Sequence, residues 1–385
     1  MTSPFQKVST ENFSFSSSIA ADVWHPKKDA KAYEWWYFDA LSDDGSEALV
    51  IIFLDNFIFS PRYNKREFDN SASSVGGNFR NRIRQSLFNP KSKIQNPKSK
   101  FPAVAFVYYR NGKPLYRAIN EFSEKDFAAS TEKPECVIGD CSFKYETAPY
   151  GSGYLISINA KLSRDRRLEA HFEWLSIEAD YAPEKCAPTE SSHCWNLVAP
   201  RSDVSGKISV SDKKGKSIDV RNFRGTGYHD HNLDNRWLPE TVKDWHWGRV
   251  HFADSTAVFY RYSETNKDEP TTKLLVISDG QLRERDAVYE ESDFSRDKFG
   301  IKYPTAMRFT SEDGLHLDIR HQKIIDSSFF YLRFLSEMSL TLGDGKTRQT
   351  LGITEYLAPK ALKFRWLNWL INMRIGRNDK GSFLP

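Results

Sequence analysis

The stretch 225–252, GTGYHDHNLDNRWLPETVKDWHWGRVHF, holds four of the chain's nine histidines, four acidic side chains and four tryptophan or tyrosine rings. In an extended chain, successive side chains point to opposite faces. Tyr228, Asp230 and Asn232 then share one face, and His229 and His231 share the other. An apolar setting disfavours the charged form of a carboxyl, so Asp230, flanked by a phenol and an amide, is a candidate for an acid that stays protonated. After a break at Leu238-Pro239, Trp245, Trp247 and Arg249 alternate with His246 and Gly248. The chemistry this predicts is proton transfer beside aromatic rings whose π faces can stabilise a cation.

Two other readings compete. Asp230 could be a carboxylate paired with Arg224 or Arg249. His229-x-His231 is also the spacing by which one strand offers two imidazoles to an ion, with His246 or His251 as a third ligand. Asp230 falls on the opposite face from that pair, so no metal is assigned to the site. The chain has no GxGxxG, P-loop or GxSxG motif, so neither a nucleotide cofactor nor a serine nucleophile is expected, and no cofactor is assigned.

Residues of this kind need sheets to hold them. The run YEWWYFDA at 33–40 is followed by the turn signal SDDG and the apolar run ALVIIFL, the pattern of a hairpin. An acidic residue, a Trp, an aromatic two positions on, a turn and an answering strand recur at 244–262, about 210 positions later. This predicts a duplicated β unit, with domains at 1–240 and 241–385. Alternation facing inward makes either Trp35 or Trp36 a cavity residue, not both.

Further strands are expected at 103–109, 115–122, 143–145, 153–162, 168–177, 273–278, 306–310, 315–319 and 329–342. Short strands with turn punctuation predict an all-β protein whose sheets close as sandwiches or barrels. Residues 61–100, with the near-repeat NPKSKIQNPKSK, read as a surface insertion.

Composition narrows the class. The chain has 385 residues, a net charge of +4 and an aromatic share of 14%. Its mixed charges lack the basic stripe of a nucleic-acid binder, and its aromatic richness suits either a cavity for a hydrophobic small molecule or thick β cores built from Phe and Tyr. Cys136, Cys141, Cys186 and Cys194 have neither CxxC nor zinc spacing and are expected as reduced thiols. With no signal-peptide pattern and no spanning run, the expected location is cytoplasmic. A short amphipathic helix is predicted at about 359–376, where Trp366 and Trp369 mix with Lys363 and Arg365. It suits either docking on the barrel or peripheral contact with a membrane, which a lipid-soluble substrate would favour.

EWWYF at 34–38, GTGYHDHN at 225–232, DWHWGRVHF at 244–252 and LGITEYLAP at 351–359 together resemble the carotenoid 1,2-hydratase family and its AttH-like relatives. GYHDHN followed by WHW is the specific part of the match. The resemblance implies two lipocalin-like β domains in tandem. It also implies catalytic roles for the His and Trp of a His-x-Trp element, here His193 and Trp195, and for Tyr228 and Asp230. Leu233-Asp234-Asn235 departs from the family's usual Gly after DHN, which leaves the substrate open.

The expected activity is hydration or cyclisation of an isoprenoid or carotenoid double bond without a cofactor. Asp230 donates the proton, and Trp35, Tyr37, Asn232, Trp245 and Trp247 contact substrate. Fungal pericyclases share the architecture and a similar motif, and a lipocalin-like carrier would keep the cavity without the chemistry. Both remain alternatives at this point.

Overall fold

The computed structural model describes residues 13–26, 29–65, 100–149, 151–182, 192–343 and 345–384. Residues 66–99, which hold most of the expected insertion, lie outside that range, as does Cys186. Cys136, Cys141 and Cys194 are buried free thiols.

The first sheet is built from β1 (Phe13–Ser16), β2 (Tyr33–Ser42), β3 (Glu47–Leu54), β4 (Ala103–Arg110), β5 (Lys113–Glu121), β6 (Phe127–Ala129), β7 (Glu135–Ile138), β8 (Cys141–Ala148), β9 (Gly151–Lys161), β10 (Arg167–Glu178), β11 (His193–Ser211) and β12 (Ser217–Asp234). The second contains β13 (Val242–His251), β14 (Ser255–Glu264), β15 (Thr271–Ser278), β16 (Gln281–Arg285), β17 (Ala287–Arg296), β18 (Lys302–Ser311), β19 (His316–Ser327), β20 (Tyr331–Thr341) and β21 (Thr347–Leu357). A two-residue strand, β22 (Gly376–Arg377), returns to the first sheet beside β5.

The order in the first sheet is β22-β5-β4-β3-β2-β12-β11-β10-β9-β8-β7-β6, and in the second β16-β15-β14-β13-β21-β20-β19-β18-β17. Both expected hairpins are present: Trp35 pairs with Leu54 across β2 and β3, and Trp245 with Tyr262 across β13 and β14. The architecture is the expected lipocalin-like, almost entirely β one.

Alternation along β2 serves two cores at once. Trp36, Phe38 and Ala40 enter the core inside the first sheet, with Trp174 and Phe143. Tyr33, Trp35 and Tyr37 enter a second core shared with Trp195, Tyr228, Trp245 and Trp247, which draws on both sheets. A third core, with Phe259, Phe309 and Met338, fills the second sheet. A strand buried on both faces has no solvent side on which to place polar residues, which is why EWWYF is almost continuously aromatic.

Gly227 makes the packing beside Tyr228 possible, because a β carbon there would meet Val204 at 2.5 Å and the Trp174 ring at 2.7 Å. Among the strands not anticipated from sequence, the first half of β12, β16 and β17 carry many exposed residues and lack a clear apolar period, whereas β11 opens with eight consecutive buried residues that hide its alternation.

The C-terminal segment is helical only in pieces. It forms 3-10 turns at Pro359–Lys363 and Arg365–Leu367 and a five-residue α-helix at Asn368–Asn372. The backbone at Phe364 is extended, which ends the first turn. Among the described residues, no helix is long and apolar enough to cross a membrane.

Candidate active site

Antiparallel pairing of β12 with β2 places Asp230 opposite Tyr37, Tyr228 opposite Asp39 and Asn232 opposite Trp35. Directly opposed residues share a face, so these six side chains form one wall toward the core between the sheets. Asp230 Oδ2 accepts hydrogen bonds from Tyr228 Oη at 2.8 Å and Trp195 Nε1 at 3.0 Å. Its Oδ1 lies 2.9 Å from Asn232 Nδ2. Trp247 Nε1 donates in turn to Tyr228 Oη at 3.3 Å.

Three neutral donors surround Asp230, and none of its hydrogen bonds comes from a cation. Burial raises its pKa to about 7 against the lowering effect of the Tyr228 and Trp195 hydrogen bonds, and the charges of Glu355 and Asp39 add to the rise. Asn232 Oδ1 is buried without a hydrogen bond. A half-turn of that amide, which exchanges its oxygen and nitrogen, gives a protonated Asp230 an acceptor.

Neither arginine expected as a partner reaches Asp230: Arg224 is exposed, and Arg249, like the nearby Arg333, is engaged elsewhere. Arg249 directs Nε and Nη2 to Asp39 Oδ1 at 2.8 and 2.6 Å. Arg333 donates to Asp39 Oδ2 at 2.9 Å, to Glu355 and to the Tyr37 hydroxyl. The cluster therefore holds three carboxyls, Asp39, Asp230 and Glu355, against two guanidiniums, all buried. One proton on a carboxyl makes it neutral, and Asp230 is the member without a counter-ion.

An apolar cavity of about 230 Å³ adjoins this cluster. Trp35, Tyr37, Trp245, Phe330, Leu357 and Glu355 are among its lining residues. Of the five residues expected to contact substrate, Trp35, Tyr37 and Trp245 line it. Asn232 and Trp247 do not line it and are bonded instead to Asp230 and Tyr228. Trp36 stacks on His231 in the other core.

His193 is brought near but does not bond Asp230. Its Nε2 lies 3.0 Å from Tyr260 Oη and its Nδ1 is 3.7 Å from Asp234. Tyr260 stacks on Trp195 with centroids 4.8 Å apart, so the imidazole reaches the site through that ring.

His229 and His231 face away from Asp230, as alternation requires. His229 Nε2 lies 3.0 Å from Asp22, and His231 sits between Glu34 at 2.7 Å and Asp22 at 3.1 Å. Burial opposes the His231 charge, but its hydrogen bonds to Asp22 and Glu34 outweigh that and raise its pKa to about 9. His25, Glu34 and His231 bring one ligand atom each within 4.8 Å of one another, a grouping that could hold an ion. His246 and His251, considered as third ligands, lie elsewhere, beside Met307 and Tyr289 and beside Thr256.

Sequence reasoning passed over Asp39, Arg333 and Glu355. Asp39 directly follows EWWYF, and a charge in a strand that is otherwise aromatic was the available signal. Glu355 sits inside the conspicuous LGITEYLAP stretch. Arg333 gave no local sign.

Fold and site together define a two-sheet lipocalin-like protein whose aromatic cavity ends at a buried carboxyl cluster. The chain belongs to the carotenoid hydratase CrtC family, whose sequence model matches residues 182–383.

Among characterised relatives, it is 27% identical to the hydroxyneurosporene dehydrogenase of Chlorobaculum tepidum over 94% of this chain and 91% of that one. It is 23% identical to the acyclic carotenoid 1,2-hydratase of Rubrivivax gelatinosus over 66% of this chain and 54% of the relative. Its fold resembles that of an AttH-like protein from Nitrosomonas europaea, with a TM-score of 0.52 at 14% identity, covering 85% of this chain and 92% of that one. It also resembles CghA, with a TM-score of 0.53 at 12% identity, covering 89% and 94%.

Proposed function

We propose that this protein hydrates, or cyclises, a terminal double bond of an acyclic carotenoid or related polyene, with Asp230 as the proton donor. The observation that carries this reading is an uncompensated, buried carboxyl directly across the strand pair from Tyr37, which lines the aromatic cavity. Asp230 gives its proton to one alkene carbon, leaving a tertiary cation on the next. The ring faces of Trp35 and Trp245 stabilise that charge. Water adds through oxygen, one of its protons is released to a carboxylate, and the product is a tertiary alcohol. Where water is excluded, a second double bond captures the cation and loss of a proton completes a ring. Tyr228 and Trp195 hold the Asp230 carboxyl in place and stabilise its anion once the proton has left. His193 orients Tyr260 against Trp195. The names of the hydratase relatives support this choice of substrate.

The test is incubation of the chelator-treated protein with acyclic carotenes in heavy water, followed by mass spectrometry. A product heavier by one water, or an isomer carrying one carbon-bound deuterium, supports hydration or cyclisation respectively. A rearranged product without deuterium points to a pericyclic reaction, and no product points to a carrier.

The same reading extends to where the substrate comes from. At about 230 Å³ the cavity is smaller than the roughly 300–1,000 Å³ usual for small-molecule sites, so it receives one end of a long polyene. Leu370, Ile371 and Arg374 of the C-terminal segment line it. Phe364, Trp366 and Trp369 on the same segment are exposed together with Arg365, while Lys363 is half-buried with its ammonium over the Trp237 ring. Exposed aromatics among cations fit an anionic lipid surface, from which the rest of the polyene need never leave.

A further inference from the structure

The two sheets repeat one arrangement. About their central hairpins, β3-β2-β12-β11 in the first sheet corresponds to β14-β13-β21-β20 in the second. Trp35, Tyr37 and Asp39 of β2 then correspond to Trp245, Trp247 and Arg249 of β13. The cross-strand partner of Tyr37 is Asp230, and the cross-strand partner of Trp247 is Glu355. Asp230 and Glu355 are thus the same position in the two repeats, and packing of the sheets brings them into one cluster.

Their surroundings differ. Asp230 is held by neutral donors alone. Glu355 is paired with Arg333 and hydrogen-bonded by the Tyr37 hydroxyl at 2.8 Å. Burial raises the Glu355 pKa on balance, although the Arg333 charge and the Tyr331 and Tyr37 hydrogen bonds oppose it. Glu355 lines the cavity and Asp230 does not. Two like groups in unlike settings can divide acid and base roles between them.

We infer that Glu355 is a second catalytic residue, the base that takes the proton from the water attacking the carbocation. This rests on the hydration reading above. In the first step the Asp230 O–H bond breaks and a C–H bond forms, leaving a carbocation and the Asp230 carboxylate. In the second, a water oxygen bonds to the cation while one of its protons passes to the Glu355 carboxylate. The neutral alcohol leaves, and exchange with solvent returns the proton from Glu355 to Asp230. In a cyclisation Glu355 removes the terminating proton from carbon instead.

The test compares wild type, Glu355→Gln and Asp230→Asn in heavy water with an acyclic carotene, following both hydrated product and deuterium at the vinylic carbon of recovered substrate. Gln keeps the shape and the acceptor oxygen that Tyr37 and Arg333 contact. Without the base, protonation still occurs but water capture slows, and the cation returns to alkene carrying deuterium. The expected result for Glu355→Gln is hydration lowered by roughly 100-fold or more with KM little changed, while substrate exchange stays within about threefold of wild type. Asp230→Asn loses both.

Glu355→Asp, which keeps a carboxylate, recovers part of the hydration, which separates lost base function from a damaged fold. Hydration retained in Glu355→Gln overturns the assignment, and so does equal loss of hydration and exchange. Absence of both in the wild type instead sinks the hydration reading itself, and this inference with it.

Discussion

The Arg249 guanidinium meets Asp39 through two nitrogens on a single oxygen, at 2.8 and 2.6 Å, and so joins the central strand of the second sheet to that of the first. Both side chains are fully buried, at 1% and 0% exposure, and the pair occupies corresponding positions in the two repeats. By spending both arginines on Asp39 and Glu355, the cluster leaves Asp230 to be neutralised by a proton.

Arg249→Met leaves Asp39 with Arg333 alone. Breaking a buried pair from one side costs about 3–5 kcal/mol. Urea denaturation should show a loss of that size, with Arg249→Met and Asp39→Asn together costing less than the sum of the two single changes.

Asp230→Asn is expected to lower kcat by about 10³ while tryptophan fluorescence still reports polyene binding. The substitution also has a stability signature. The folded-state pKa of about 7 lies above the ordinary 3.8, so the wild type bears no cost at this group below about pH 4 and the full cost above pH 7. Melting temperatures of Asp230→Asn should therefore gain on wild type from about pH 4 to about pH 7 and keep a constant advantage above that.

Turnover should fall as pH rises through about 7, because the donor must be protonated. Tyr228→Phe removes a hydrogen bond that holds the Asp230 pKa down. Its alkaline limb should move to higher pH in a kcat profile. A limb that stays in place or moves down would show that Tyr228 does not act on Asp230.

Trp366→Ala with Trp369→Ala removes exposed rings that do not line the cavity. Binding to anionic vesicles should drop at least tenfold by sedimentation, with turnover of detergent-dispersed substrate unchanged.

His229 and His231 turn their rings away from Asp230, toward Asp22 and Glu34. Prolonged treatment with chelator should leave the rate of hydration intact; a loss restored by added zinc would move the chemistry to the opposite face of β12.

What the sequence determined by itself is local and periodic. Alternation along 228–232 separates Asp230 from the histidines, and the repeated Trp-x-aromatic hairpin announces two β units, because side-chain direction in a strand follows from position alone. It could not say which of Trp35 and Trp36 meets the cavity, that Arg249 would serve Asp39, or that His193 would contact Tyr260. Those depend on which sheet face packs against which. Glu355 shows the limit most clearly: it stands 125 positions from Asp230. Only the closing of β13 against β21, and of one sheet upon the other, puts both carboxyls in one low-dielectric cluster. There, charges too far apart in sequence to influence each other decide which group keeps a proton.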